Sequence, residues 1–150
     1  MIEIERKFTV HKELWKTIKK PQSFLIKQSY ISDNKNSTVR VRTKGEKGFL
    51  TIKGITKNIS RSEFEYEIPL VDAESMMEEF SNKILSKKRY EIKVGNHIWE
   101  VDEFNGKLEG LIIAEIELQD ENENFTLPNW IDKEVSKDER YYNSNLINEL

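Results

Sequence analysis

Apolar and polar side chains alternate with period two along most of the chain. In the opening "MIEIERKFTV", Ile2, Ile4, Arg6 and Phe8 share one register, and Glu3, Glu5 and Lys7 share the other. A strand sends successive side chains to opposite faces, so this stretch predicts a strand with two carboxylates and an ammonium on one face. The same alternation predicts strands in "SFLIKQSYIS", with Gln28 and Tyr30 together, and in "TVRVRTK", with Arg40 and Arg42 opposite Val39 and Val41. "FLTIKG" sets Thr51 and Lys53 against Leu50 and Ile52, and "RSEFEYEIP" sets Glu63, Glu65 and Glu67 against Phe64, Tyr66 and Ile68. "ILSKKRYEIKV" aligns Lys87, Arg89 and Glu91, with Lys88 outward. "HIWEVDEF" aligns Glu100 and Asp102 opposite Trp99 and Val101, and "LIIAEIEL" aligns Glu115 and Glu117 opposite Ala114, Ile116 and Leu118. "NKNS", "GEKG" and "GN" read as turns between these strands.

Two segments change period. "HKELWKTIKKP" predicts a helix with Leu14, Trp15 and Ile18 on its apolar side and Pro21 ending it. "VDAESMMEEFSNK" predicts a second helix, with Asp72 as N-cap and Met76, Met77 and Phe80 on its apolar side. The tail from Thr126 reads as short helical pieces around an irregular stretch. The sum is about eight strands and a few helices joined by short turns. This predicts a mainly β, α+β chain forming one domain over 1–150, built on an antiparallel sheet that is able to close.

Composition sharpens the picture. The 150 residues are 37% hydrophobic and 34% charged, with a net charge of only -3. That charged share exceeds the usual quarter or so, so where the charges go matters. There is no overall basic excess of the kind a general nucleic-acid binder carries, so no nucleic-acid partner is expected. Without cysteine, disulfides, thiolate metal sites and cysteine nucleophiles are excluded. No apolar run is long enough to cross a bilayer, and charged residues occupy positions 3–7 where a signal peptide would need apolar ones. The expectation is a cytoplasmic protein without a membrane partner. His11 and His97 fall at segment edges and read as surface residues.

Charges on the solvent face of an antiparallel sheet are ordinary, and acidic strands beside basic ones can pair across the sheet. Here, however, the polar registers are often wholly charged and sorted by sign. Acidic pairs fall at 3/5, 63/65 and 115/117, and basic pairs at 40/42 and 87/89. Same-face neighbours on a strand lie about 6.5–7 Å apart, so like charges there repel unless an opposite charge intervenes. Carboxylate pairs suit a hard cation, and arginine and lysine clusters suit phosphate. One face offering both suggests a site for a metal–polyphosphate complex. Rolled into a barrel with that face inward, the sheet makes a tunnel, with helices covering its apolar outside. Neutralising one acid, such as Glu65, is then expected to relieve repulsion and leave stability unchanged or higher.

Glu3-Ile-Glu5-Arg-Lys7 resembles the ExExK signature of the CYTH superfamily, the triphosphate tunnel metalloenzymes. "RVR", "TIKG", "SRSEFEYEIP", "KKRYEI", "WEVDEF" and "AEIEL" follow in that family's order, and "EVSKDERYYNSNL" resembles the closing segment of its short bacterial members. The chain departs from them at Lys137, a turn position where glycine is common. The resemblance implies an eight-stranded closed antiparallel barrel with helices packed outside. It implies a metal-binding set of Glu3, Glu5, Glu63, Glu65, Glu115 and Glu117, with Asp102 assisting. Lys7, Arg40, Arg42, Lys53, Lys87 and Arg89 would bind the substrate phosphates, with Arg61 as a further contributor, and the stretch from Asp138 to Tyr142 would close one mouth.

The expected reaction is hydrolysis of a triphosphate, inorganic tripolyphosphate first, with two Mg²⁺ or Mn²⁺ ions during turnover. Lys7, Glu5 and Glu117 are the catalytic candidates: the acids activate metal and water, and Lys7 positions the water or acts as base. The alternatives are a thiamine or nucleoside triphosphatase, an adenylate cyclase making cyclic AMP, and a non-catalytic polyphosphate-binding module. No Gly-rich nucleotide loop is visible, and few aromatics fall on the charged face, which favours a ligand without a base.

Overall fold

Nine strands form in the computed structural model, which describes residues 1–150. They are β1 (Ile2–Val10), β2 (Phe24–Asp33), β3 (Thr38–Lys44), β4 (Lys47–Lys53), β5 (Ser60–Ile68), β6 (Leu85–Val94), β7 (His97–Phe104), β8 (Ile112–Glu117) and β9 (Ile131–Glu134). The sheet runs β5-β4-β3-β2-β6-β7-β8-β1-β9, and β5 returns to pair with β1. Every pairing is antiparallel. Eight strands therefore close into the expected barrel, and β9 is an addition that alternation did not signal.

Closure uses one edge of β1 twice. Its first residues pair with β5 (Ile2 opposite Ser62, Ile4 opposite Ser60), and its last pair with β9 (Phe8 opposite Glu134, Val10 opposite Ile131). Between them the Glu5 amide donates to the Ile59 carbonyl at 3.2 Å, and the Lys7 amide donates to Ser136 Oγ at 3.0 Å. The gap between the two pairings is thus bridged by further acceptors, as a buried strand requires. The β3–β4 and β6–β7 hairpins turn at Gly45 and Gly95, with φ of +59° and +62°, where a side chain would be strained.

The apolar registers do face outward, and those of β1, β7 and β8 are covered, whereas Ile52, Phe64 and Tyr66 on β4 and β5 stay exposed. Phe8, Val10, Trp99, Val101, Ala114 and Ile116 from β1, β7 and β8 pack with Trp15, Leu118 and Trp130. Helix α1 (Lys12–Thr17) holds Trp15 over them. It is shorter than its pattern implied. Ile18 is already extended, and the Lys20 ammonium satisfies the Trp15 and Ile18 carbonyls in place of further helix. Helix α2 (Leu70–Phe80) covers β3 and β4 through Ala73 and Met77. Gly48 permits that approach, since a Cβ there would lie 2.7 Å from the Ala73 Cβ. Its N-cap is Pro69, not Asp72, which sits one turn in where a carboxylate meets the positive helix end. Phe80, the last residue of the helix, is exposed rather than packed.

The barrel interior is not wholly charged. Leu85, Phe104 and Ile113 point inward and pack with Leu108, Leu146 and Ile147. This apolar layer, capped by the short helix α3 (Asn143–Leu146), closes one end of the tunnel.

Candidate active site

Above that layer lies a cavity of about 220 Å³. Its walls carry Glu3, Glu5, Glu63, Glu65, Glu115 and Glu117 together with Lys7, Arg40, Arg42, Lys53 and Arg89. Barrel order sets the polarity of the walls. Strands β8 and β1, with Glu115, Glu117 and Glu5, lie four places around the ring from β3 and β2, so the acids face Arg40 and Arg42 across the tunnel.

Lys87 is the one expected binding residue that does not reach this cavity. It is 1% exposed and lies behind the wall, with its Nζ 2.7 Å from Asp102 Oδ2. Burial pushes its pKa down to about 8, despite Asp102. Asp102 is equally buried and gives no oxygen to the cavity. Arg61 and Glu100 do line it, as do Tyr30, Ser136 and residues Tyr142, Asn143 and Ser144. Arg61 shares the inward parity of Glu63 and Glu65, so alternation alone places it. The tail residues carry no periodic signal. They close one side of the cavity near the expected stretch, where Lys7 Nζ donates to the Tyr141 carbonyl at 3.2 Å and sits 5.6 Å from the centre of the Tyr142 ring.

The carboxylates divide into two groups. Glu3 is held by Lys53, 3.0 Å from both of its oxygens, and by Arg61 at 3.2 Å. Burial raises its pKa, but these cations and a hydrogen bond with Glu63 more than offset that and hold it well below the usual range. Glu65 accepts from Thr51 Oγ1 at 2.7 Å and lies 3.5 Å from Arg40 and 3.4 Å from Arg42. Its pKa is lowered overall, so the expected relief on neutralising Glu65 does not follow from its surroundings.

Glu5 and Glu117 differ. They are direct cross-strand partners, while Glu115 stands opposite Lys7 with its carboxylate 3.5 Å from the ammonium. Burial, then the charges of Glu115 and Glu3, push Glu5 up to about 8. Burial and the charges of Glu3 and Glu100 also raise Glu117. Glu115, hydrogen-bonded to Glu5 and flanked by Lys7, Arg89 and Lys87, is held low against its burial. Among the cavity carboxylates, Glu5 and Glu117 are therefore the two without an ion-pair partner, and Glu5 keeps its proton until a cation replaces it.

The basic wall is crowded in the opposite sense. Burial, then the charge of Arg40, lowers the Arg42 pKa to about 10. The Nε groups of Arg40 and Arg42 are buried donors without a partner. Two guanidiniums held side by side with unused donors fit an anion with several oxygens.

No group of three acidic or histidine side chains is placed to hold a metal ion by itself. The donors on the acidic wall are nonetheless all hard oxygens. Mg²⁺ is commonly held by one or two carboxylates, with substrate phosphates and water completing its shell. Glu5, Glu115 and Glu117 fit that mode. The histidines stand apart: His11 caps α1 by accepting from the Leu14 amide, and His97 pairs with Glu123 on the outside.

Comparison with known proteins agrees with this geometry. The chain is 48% identical over 146 residues to an inorganic triphosphatase of Acetivibrio thermocellus, covering 97% of this chain and 92% of that one. It is 31% identical to an inorganic triphosphatase of Nitrosomonas europaea, covering 97% of each. The crystal structure of an inorganic triphosphatase superposes with a TM-score of 0.66 at 28% identity, over 97% of this chain and 93% of that one. The family model described as the CYTH domain matches residues 1–143. With its ExExK strand, its closed barrel and its charged interior all in that family's arrangement, the chain belongs to the CYTH domain family.

Proposed function

We propose that the protein is a metal-dependent inorganic triphosphatase that hydrolyses tripolyphosphate in the tunnel. The observation that carries this reading is the opposition of two walls: Arg40 and Arg42, with unused buried donors, face Glu5 and Glu117, the carboxylates that have no cation partner in the protein. A bare cation would suit only one wall and a bare polyanion only the other. The two relatives named inorganic triphosphatase support the same substrate, and triphosphatases of this family depend on metal ions. The cavity of about 220 Å³ is smaller than the roughly 300–1,000 Å³ of pockets for drug-sized ligands, which favours a compact anion over one carrying a nucleoside or thiamine.

Phosphoryl transfer asks the protein chiefly for positioning and charge stabilisation. Arg40, Arg42, Lys53 and Arg89 would bind non-bridging oxygens and neutralise charge on the leaving phosphate. Glu5, Glu115 and Glu117 would hold Mg²⁺ or Mn²⁺, which acidifies water and neutralises phosphate charge when bound. Binding there requires Glu5 to release its proton. Lys7, on the cavity wall beside Glu115, is placed to orient the attacking water. Burial lowers its pKa, but Glu115 and Glu5 raise it further. An ammonium held charged in this way orients water rather than removing its proton.

The test is phosphate release from tripolyphosphate, ATP and thiamine triphosphate, with Mg²⁺, with Mn²⁺ and with excess EDTA. The reading predicts turnover of tripolyphosphate in preference to the other two, abolished by EDTA. Preferred turnover of ATP or thiamine triphosphate would reassign the substrate. Tight binding without turnover would leave a binding module.

A further inference from the structure

We infer that Asp102 is a positioning residue that aims Arg89 at the bound anion, and that it does not belong to the metal-binding set. This rests on the reading of the tunnel as a triphosphate site. Asp102 and Arg89 are direct cross-strand partners on β7 and β6. Asp102 Oδ1 accepts from Arg89 Nε at 2.7 Å, and Oδ2 accepts from Arg89 Nη2 at 2.8 Å. Oδ2 also lies 2.7 Å from Lys87 Nζ. Both oxygens are thus committed to cations, Arg89 of the cavity wall and the buried Lys87. A metal ion in the tunnel would have to displace part of this fork to reach them.

The two-point grip has a directional consequence. A bidentate pair fixes the guanidinium in position and in plane. The Nε and Nη2 edge is turned to Asp102, and Nη1 is the nitrogen left over. It points to Glu100 Oε2 at 2.7 Å, on the cavity wall. A phosphate oxygen entering the tunnel would compete with Glu100 for that one nitrogen. Asp102 also sets the local charge. Against one carboxylate stand Arg89 and Lys87, so once an anion displaces Glu100 from Arg89 the trio presents a net positive charge to it. Lys87 then serves as a counter-charge, which explains why a residue of inward parity fails to reach the substrate space.

Three proteins test this: Asp102→Asn, Arg89→Ala and the double variant. Each is assayed for tripolyphosphate hydrolysis across a Mg²⁺ titration, and for tripolyphosphate binding in EDTA by calorimetry. Misaiming a charge-stabilising group by about 1 Å is able to cost about 100-fold. Asp102→Asn should lower kcat/KM about 10- to 100-fold and weaken metal-free binding, while the Mg²⁺ half-saturation stays at the wild-type value. In the Arg89→Ala background it should add little further loss, because residues acting through one another are non-additive. A shifted Mg²⁺ half-saturation, or an equal loss with and without Arg89, overturns the inference. If Asp102→Asn does not fold, the same measurements on Lys87→Met/Asp102→Asn, which removes one buried cation with the anion, apply with the same criteria. Wild type that neither binds nor hydrolyses tripolyphosphate would overturn the function itself. Wild-type binding matched by Asp102→Asn would overturn only the role of Asp102.

Discussion

With its pKa pushed up to about 8, Glu5 is expected to hold a proton at neutral pH in the metal-free protein, and losing it at higher pH should cost measurable stability. Its folded pKa is pushed up to about 8 by burial, then by Glu115 and Glu3, while an unfolded glutamate titrates near about 4.3. Between those values the folded state holds a proton that the unfolded state has released. Stability contributed by that proton is lost as pH rises toward 8. One proton corresponds to about 1.4 kcal/mol per pH unit. With the midpoint near 8, raising pH from 6 to 8 should therefore cost wild type at most about 2 kcal/mol. Glu5→Gln cannot titrate and should lose little over that window. Urea unfolding in EDTA at pH 6, 7 and 8 reads both profiles, and in melting curves the wild-type loss corresponds to about 4–8 °C for a chain this size. Parallel profiles for the two proteins would refute the account of Glu5.

Three further outcomes follow from the division of charge. Arg40→Ala and Arg89→Ala should each raise KM for tripolyphosphate and lower kcat, with Mg²⁺ half-saturation little changed, as steady-state kinetics at several metal concentrations would read. Glu117→Gln should instead raise the Mg²⁺ concentration needed for half-maximal rate, because a donor on the acidic wall is weakened. Glu65→Gln should melt below wild type in EDTA, by the few degrees expected of losing a charge-assisted partner of Thr51, Arg40 and Arg42; a higher melting temperature would mean Glu65 is strained after all.

Alternation made the faces legible because each barrel strand turns one face to the tunnel and an apolar one outward, even where, as at Phe64 and Tyr66, nothing covers it. It assigned Arg40, Arg42, Lys53, Arg89 and all six expected metal-binding glutamates to the cavity side. Face is not depth, however. Lys87 has the inward parity, yet it lies beside the layer of Leu85, Phe104 and Ile113, and only the register of β6 against β7 shows this. Repulsion between acids was legible as a possibility but not by residue. Three-dimensional neighbours decide it: two arginines of β3 reach across β4 to compensate Glu65, while the β1–β8 register sets Glu5 opposite Glu117. β9 was missed because "IDKE" is four residues long with no alternating apolar pattern. Its place comes from docking on the edge of β1, which no local signal announces. Ser136 and the Tyr142 to Ser144 stretch reach the cavity for the same non-local reason.

The most direct test of the central claim is a crystal structure of the wild type with tripolyphosphate and Ca²⁺, the ion chosen to favour binding over turnover. The account predicts the anion inside the tunnel, its oxygens on Arg40, Arg42, Lys53 and Arg89, with the metal between those oxygens and Glu5, Glu115 and Glu117. An anion bound on the outer surface, or a metal held by Asp102 and the basic wall, would contradict it.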